Sequence, residues 1–406
     1  MIDSGDTAWV LASSALVLAM IVPGLALFYG GLVRSKNVLG TIMHSFVILC
    51  LITVLWVLFG YSLAFGPDLK GLIGGLDWMG LAGVGLAPYP AYGPTIPHQA
   101  FMVFQLMFAA ITPALITGAF AERMRFGALL LFSALWSVLV YCPVAHWLWG
   151  GGWLGKLGAL DFAGGAVVHI TSGVAALVCA LQLGRRHGYG VDYMAPHSLP
   201  LTLLGTGLLW FGWFGFNGGS ALGANAVAVT AFVATHTAAA TAGLSWMLVE
   251  WWHRGTPTVL GVASGAVAGL ATVTPGAGFI GPFAALAIGL SAGALSYGAI
   301  VWKAKGGYDD SLDVLGIHGV GGALGMLMTG LFASKAVNAA GADGLFHGGA
   351  GFFAMQLVAI VSVAAFSFAA TWAILKLVAR VTALRVTVEE ERQGLDLSQH
   401  NERAYS

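Results

Sequence analysis

Charged residues are scarce in this chain of 406 residues, where Asp, Glu, Lys and Arg together make up only 8% of the sequence. Hydrophobic residues account for 58%, and long apolar runs follow one another along most of the chain. The 17 basic and 17 acidic residues cancel, which excludes the strongly basic character of a nucleic-acid-binding protein. The composition therefore predicts a protein that crosses a lipid bilayer many times.

Cysteine is also rare, and the three cysteines, Cys50, Cys142 and Cys179, all lie inside apolar runs. We interpret them as small buried hydrophobic residues and expect neither disulfides nor a metal site from them. Residues 1–6 lack the basic segment of a signal peptide, so we expect the first apolar run to be a helix of the mature protein.

Eleven apolar runs are long enough to span a membrane as helices. Their predicted bounds are 9–32, 42–65, 100–121, 126–149, 164–184, 200–218, 226–252, 258–275, 278–301, 312–333 and 350–379. The eighth and ninth are the least distinct, because only a short segment containing glycine and proline separates them. The predicted fold class is an all-α integral membrane protein with eleven transmembrane helices.

Lysine and arginine are unequally divided between the two alternating sets of loops. One set, which includes the C-terminal tail, holds every basic residue except Lys70, Lys156 and Lys335. Because basic loops stay in the cytoplasm, we expect the N-terminus outside and the C-terminus in the cytoplasm of a cell (inner) membrane protein. An odd number of helices agrees with this orientation.

A motif occurs twice in nearly charge-free sequence: Asp161 is followed eight residues later by His169, and Asp310 is followed eight residues later by His318. Eight residues of helix rise about 12 Å. A carboxylate near one face of a roughly 30 Å hydrocarbon core would then place its histidine near the middle of the membrane. Both motifs therefore predict a histidine deep in the bilayer.

The two motifs run in opposite directions, because the fifth and tenth predicted helices start on opposite sides of the membrane. This arrangement predicts an inverted repeat of five helices, with a transport site where the two copies meet. The predicted limits are 1–184 and 200–333 for the copies, 350–379 for the extra helix and 1–384 for the whole transmembrane domain.

The cost of charge suggests what two such histidines do. A charge at the bilayer centre costs from about 3 to over 10 kcal/mol, whereas an amine with a pKa near 10 loses its proton at pH 7 for about 4 kcal/mol. We therefore expect His169 and His318 to be uncharged, hydrogen-bonded to each other, and to line a pore for a neutral amine. The alternative is that each histidine satisfies a backbone carbonyl within a helix bundle.

Aromatic residues near one end of this pore favour a cation as the initial ligand. Phe104 and Phe108 lie one turn apart in the third predicted helix, and Trp149 ends the fourth. Rings around a partly desolvated cation contribute on the order of 2 kcal/mol. The alternative is that these aromatics only pack within the protein or anchor it at the membrane interface.

These residues belong to a longer set of motifs that resembles the ammonium transporters of the Amt/Mep/Rh group, and the bacterial Amt branch in particular. The matching segments are PGLALFYGG at 23–31, AER at 121–123, AHWLWGGG at 145–152, GALDFAGG at 158–165, WFGFN at 213–217, GIHGV at 316–320 and ERQGLD at 391–396. The resemblance implies a transporter or channel for ammonium and methylammonium, with no enzymatic activity and no cofactor or metal. It also implies a homotrimer whose subunits each contain a pore.

The resemblance assigns roles to individual residues. An outer recruitment site for the cation would contain Phe104, Phe108, Trp149 and Ser220, with Asp161 nearby in a structural and electrostatic role. Phe108 and Phe216 would be the two stacked rings that close the pore below that site. His169 and His318 would be the twin histidines of the conduit. Residues 385–406 would form a cytoplasmic regulatory tail, and a PII-type regulator would bind the cytoplasmic surface.

Several residues have no role in that pattern. We interpret His44 and His236 as hydrogen-bonded packing residues, and His98 as an exposed residue at the start of the third helix. The carboxylates Asp309, Asp310 and Asp313 lie where negative charge favours the start of the tenth helix. The resemblance implies that the tail folds against the cytoplasmic loops of its own or a neighbouring subunit, where Arg185, Arg186 and Lys303 offer complementary charge.

Three alternative functions remain. An electroneutral ammonia channel of the Rh type would use the same pore, and we favour net charge movement over it. An ammonium sensor should carry an additional signalling domain, for which the residues after 379 are too few. A membrane metalloenzyme would need a third ligand near His169 and His318, and their neighbours in sequence are apolar or small.

Overall fold

The computed structural model describes residues 1–405, and most of them are helical. Eleven apolar helices form the body of the protein, which confirms the predicted fold class. We number them α1 (Ser4–Leu32), α2 (Ser35–Phe65), α3 (His98–Ala119), α4 (Phe126–Lys156), α5 (Gly165–Leu183), α6 (Leu199–Gly218), α7 (Ala226–Arg254), α8 (Val259–Val273), α9 (Pro282–Gly306), α10 (Leu315–Phe332) and α11 (Ala350–Val381). Within residues 1–405, all but α8 have at least 18 residues.

Helix α8 is shorter than its predicted range of 258–275. Its 15 residues rise about 22 Å, which is less than the hydrocarbon thickness. From Gly265 to Ile280 the chain is buried on all sides, so this helix packs inside the protein and need not reach both surfaces.

Small residues bring the helices close together. A Cβ atom placed on Gly289 of α9 would lie 2.5 Å from the backbone oxygen of Ala238 in α7, and one on Gly269 of α8 would lie equally close to that oxygen. In lipid, helices associate through such tight packing because the acyl chains are as apolar as the side chains. The abundance of glycine therefore reflects close helix contacts as well as turns.

The molecule has two opposite faces, which we name by the elements on them. The hairpin face carries a two-stranded antiparallel hairpin, β1 (Asp68–Leu69) and β2 (Ile73–Gly74), directly after the end of α2. The tail face carries two short helices, α12 (Val388–Gln393) and α13 (Leu395–His400). Lys36, at the start of α2, donates to the backbone oxygens of Glu391 and Arg392. The two ends of α2 thus mark the two faces.

The tail is folded against the loops of the same chain. Glu391 is buried, and its carboxylate accepts hydrogen bonds from the Arg385 side chain and from the backbone N–H of His187. Asp396 accepts from the backbone N–H of Gly40 on α2 at 2.8 Å. The short helix α12 starts with a capping box between Thr387 and Glu390, which the sequence of the segment encodes locally.

Within this chain the tail does not dock on Arg185, Arg186 or Lys303, because these side chains have other partners. The Arg186 guanidinium pairs with Asp309, Lys303 pairs with Asp313, and Arg185 donates to the backbone oxygen of Gly307. The tail instead uses Lys36, His187 and backbone groups.

Asp309 is fully buried and connects two loops of the tail face. Burial raises the pKa of its carboxyl, but the hydrogen bonds and charge of Arg186 outweigh burial and hold the pKa below its ordinary value. Of the three clustered aspartates, Asp310 caps α10 by accepting from the N–H of Leu315 at 2.8 Å. Asp309 also forms a buried ion pair with Arg186, which the sequence pattern did not indicate.

Two smaller corrections concern surface residues. Cys50 is exposed on the protein surface, unlike the buried Cys142 and Cys179, because it lies on the outward side of α2. His98 is buried rather than exposed, and its Nε2 lies 2.5 Å from the hydroxyl of Tyr61.

Candidate transport pathway

Asp161 organises the start of α5. Its two carboxylate oxygens accept four hydrogen bonds of 2.7–3.0 Å, from the backbone N–H groups of Gly164, Gly165, Ala166 and Val167. These N–H groups have no partner within the helix, and the carboxylate also lies at the favourable positive end of the helix dipole. The side chain is buried and is fully used in capping, which supports a structural role and leaves no oxygen free for a ligand.

The first turns of α5 and α10 share a feature that the sequence did not reveal. Residues 165–170 and 315–319 form wide π-helical turns, and these turns contain His169 and His318. Such turns often occur at functional sites, since they shift the direction of the side chains they carry.

Helices α5 and α10 cross where both lack side chains. A Cβ atom on Gly173 would lie 2.2 Å from the backbone nitrogen of Gly319. One on Gly322 would lie 2.6 Å from the oxygen of Gly165 and 2.8 Å from the Cβ of His169. No side chain fits at these distances, so glycine permits the approach that places the two histidines side by side.

The two histidines contact each other directly. Nδ1 of His169 lies 3.2 Å from Nδ1 of His318, and their ring centroids are 5.1 Å apart at an interplanar angle of 19°. A hydrogen bond at this contact needs one protonated and one bare nitrogen, so at least one ring is neutral. Nε2 of His169 is buried and has no hydrogen-bond partner within residues 1–405.

The surroundings of the pair are aromatic. The ring of Trp213 lies 5.6 Å from that of His169 and nearly parallel to it, and the ring of Phe216 lies 6.2 Å away. Across residues 1–405, no three His, Cys, Asp or Glu residues are grouped so that they could hold a metal ion. The arrangement suits a small neutral molecule that can exchange hydrogen bonds with an imidazole.

Two stacked rings lie between the histidines and the hairpin face. Phe108 of α3 and Phe216 of α6 have ring centroids 4.2 Å apart at an interplanar angle of 27°, and both are buried. Phe216 belongs to a third wide turn, residues 214–218 at the end of α6, which directs its ring toward α3. The structure thus brings together the two residues predicted to close the pore.

A cleft of about 270 Å³ lies next to these rings, on the side toward the hairpin face. It is lined by Ala91, Tyr92, Phe101, Gln105, Phe108, Leu148, Trp149, Phe162, Ser220 and Leu222. The Trp149 ring stands perpendicular to the Phe108 ring at 5.9 Å. The Ser220 hydroxyl donates to the backbone oxygen of Phe216 at 2.8 Å, which leaves its oxygen able to accept a hydrogen bond from a ligand.

Phe104, predicted to belong to the recruitment site, does not line this cleft, and neither does Asp161, predicted to lie near it. Phe104 is completely buried, and its ring packs edge-on against Phe108 at 5.0 Å. At about 100° per residue, Phe104 lies about 40° from Phe108 but about 100° from Gln105, at the edge of the side of α3 that faces the cleft. Phe104 therefore supports the Phe108 ring from behind.

Sequence reasoning missed Tyr92, Phe101, Gln105 and Phe162. For two of them a signal existed, because Phe101, Gln105 and Phe108 follow the i, i+4, i+7 spacing of one helix face. Tyr92 and Phe162 come from loops, and no periodicity predicts their position.

His44 and His236 do not fit the prediction of hydrogen-bonded packing residues. Nδ1 of His44 is buried without a partner in the described part of the chain. His236 is exposed on the surface of α7, where its ring lies 5.4 Å from that of Trp210.

A family model described as "Ammonium Transporter Family" matches residues 8–405. The chain belongs to the ammonium transporter family. It is 56% identical over 402 residues to an ammonium transporter of Bacillus subtilis, covering 99% of this chain and 98% of the relative. It is 50% identical over 404 residues to ammonium transporter Amt1 of Archaeoglobus fulgidus, with complete coverage of both chains.

Solved structures agree with this membership. The crystal structure of Candida albicans Mep2 superposes with a TM-score of 0.90 at 39% identity, covering 96% of this chain and 88% of that one. A structure described as a sensor Amt protein gives a TM-score of 0.88 at 30% identity and covers 98% of each chain. The chain is therefore a multi-pass membrane transporter and not an enzyme.

Proposed function

We propose that the protein takes ammonium from the hairpin face, removes one proton and conducts ammonia past the histidine pair, while the proton crosses to the tail face by a separate polar route, so that net charge moves. The contact between His169 and His318 supports this proposal most strongly. Because at least one of the two rings is neutral, the pair can exchange a hydrogen bond with ammonia. Aromatic rings around the pair, at about 2 kcal/mol, offset only part of the cost of a bare cation in the middle of the membrane, which is from about 3 to over 10 kcal/mol.

The cleft would select the cation before deprotonation. Trp149 and Phe108 present aromatic surfaces, and the Ser220 oxygen is free to accept a hydrogen bond. A cation over such rings gains about 2 kcal/mol when it is partly desolvated. Below the cleft, the stack of Phe108 on Phe216 would then have to move for the ligand to reach the histidines.

We place the hairpin face outside and the tail face in the cytoplasm of the cell (inner) membrane, because the loops of the tail face carry most of the lysine and arginine. The exposed apolar side chains of the helices would contact lipid or neighbouring subunits of a homotrimer. The folded tail would transmit regulation, and a PII-type protein would bind the basic tail face.

Transport measurements on the purified protein in liposomes test whether net charge crosses the membrane with each ammonium. An ammonium pulse in solid-supported membrane electrophysiology should give a sustained current that increases with the gradient. Ammonium-dependent alkalinisation or acidification without such a current would support the electroneutral alternative of the Rh type.

A sensor is the second candidate, and one comparison favours it: the solved sensor Amt protein matches 98% of this chain. A sensor of this fold would bind ammonium at the cleft but release it on the same side. Methylammonium uptake into liposomes separates the two functions, because saturable binding without uptake would indicate a sensor.

A further inference from the structure

Gln105 is a buried polar residue in the cleft without a structural partner. It lies one turn before Phe108 on α3, and only 8% of the residue is exposed. Its Oε1 atom is buried and accepts no hydrogen bond from any group in residues 1–405. The residue nevertheless lines the cleft together with Trp149 and Ser220.

A buried amide without hydrogen bonds destabilises a folded protein, because it loses its hydrogen bonds to water on folding and forms none within the protein. Gln356 is also buried, but its amide accepts from the N–H of Leu160 and donates to the oxygen of the same residue, both at 2.9 Å. Gln105 therefore differs from Gln356, because its Oε1 atom accepts no hydrogen bond within residues 1–405.

The position of Gln105 suggests what its amide binds. The aromatic rings of the cleft attract a cation but accept hydrogen bonds poorly, and Ser220 on α6 supplies one oxygen. Gln105 approaches from α3, so the two oxygens come from different helices. Because Oε1 is buried in the structure, it reaches the cleft only when the amide rotates by half a turn, and no hydrogen bond of Oε1 within residues 1–405 opposes that rotation.

We propose that Gln105 is a further substrate-binding residue, whose amide oxygen accepts a hydrogen bond from a protonated small amine in the cleft. The inference rests on the proposed function and adds a cause of selectivity. Ammonium and methylammonium have several N–H groups that can reach both oxygens. A potassium ion needs many oxygen ligands to replace its hydration shell, and two are too few.

The variant Gln105→Met tests the proposal, because methionine has a similar length and no hydrogen-bonding amide. We expect the apparent affinity for methylammonium in liposome uptake to fall about tenfold, the loss of one hydrogen bond to a charged group. The maximal rate should be unchanged. The melting temperature of the ligand-free protein should stay the same or rise, since an unsatisfied amide has been removed.

Gln356→Met is the matched control. It removes a buried amide with structural hydrogen bonds, so it should lower the melting temperature and leave the apparent affinity unchanged. If Gln105→Met behaves like this control, Gln105 is structural and the proposal is wrong.

Gln105→Glu decides the case in which Gln105→Met loses both stability and affinity. It restores an acceptor oxygen, so recovered methylammonium affinity supports the proposal, and unrecovered affinity overturns it.

Trp149→Leu separates the inference from the function on which it rests. If Trp149→Leu lowers the affinity and Gln105→Met does not, only the role of Gln105 fails. If neither variant changes it, the recruitment site itself is wrong.

Discussion

The indole N–H of Trp149 donates to the backbone oxygen of Asp161 at 2.7 Å. The same residue Asp161 caps α5 through its side chain, and α5 carries His169. One residue therefore holds both the aromatic wall of the cleft and the helix of the conduit. A change at Asp161 should alter both, whereas a change at Trp149 should alter only the cleft.

Replacing Asp161 by Asn should impair folding and transport together. The amide has only one acceptor oxygen, so about half of the four capping bonds are lost and buried N–H groups stay unpaired, at about 1–3 kcal/mol each. A lower melting temperature and reduced methylammonium uptake should appear in parallel. Full stability with selective loss of cation affinity would instead indicate direct contact between Asp161 and the ligand.

Replacing His169 or His318 by Asp should weaken selectivity against potassium. A carboxylate in the conduit stabilises a cation there, so the energetic advantage of the neutral molecule is lost. Potassium-driven currents across liposomes should appear in both variants and be absent from the unmodified protein. If both variants transport ammonium at the original rate without potassium current, the proton-stripping role is wrong.

Trp149→Leu should weaken recruitment and leave the conduit intact. Loss of the best cation–π surface removes up to about 2 kcal/mol, or roughly 30-fold in apparent affinity. Competition between ammonium and methylammonium uptake measures this loss for both amines. Unchanged affinity for both would mean that the tryptophan only packs at the membrane interface.

The ion pair between Arg186 and Asp309 predicts a pH dependence of stability. The folded pKa of Asp309 lies below its ordinary value, so its contribution is complete above pH about 4 and is lost as the pH falls through the folded pKa. Asp309→Asn should lower the stability at pH 7 by about 3 kcal/mol, because it leaves Arg186 buried beside too little negative charge. Thermal unfolding should show this difference shrink below pH 4.

Asp313→Asn is the matched control. It removes the partly exposed ion pair between Lys303 and Asp313, so it should lower the free energy of unfolding by less than about 1 kcal/mol.

Truncation after Leu384 tests the role of the tail. It removes Glu391 and Asp396, which hold the tail to the loops of its own subunit. We expect correct membrane insertion, reduced transport and loss of binding to a PII-type protein. Full activity with undiminished binding of that protein would show that the folded tail is only a structural terminus.

The number of helices and the paired histidines could be predicted because both depend on local sequence signals. Long apolar runs indicate the helices, and the spacing of Asp161 and His169 recurs at Asp310 and His318. The limits of α8 could not, because burial on all sides allows a helix to be shorter than the membrane. The roles of Phe104 and Gln105 could not either. Adjacent positions on α3 point to different neighbours, and only the packing of α4 and α6 decides which one faces the cleft.

The contact between Gly173 and Gly319 joins the two histidine-bearing helices backbone to backbone. Their separation is thus fixed by the peptide chain and cannot be adjusted by rotation of a side chain. A single methyl group at Gly173 would act as a spacer that widens the gap between the rings of His169 and His318. A substitution at Gly173 therefore changes the width of the conduit without changing either imidazole ring.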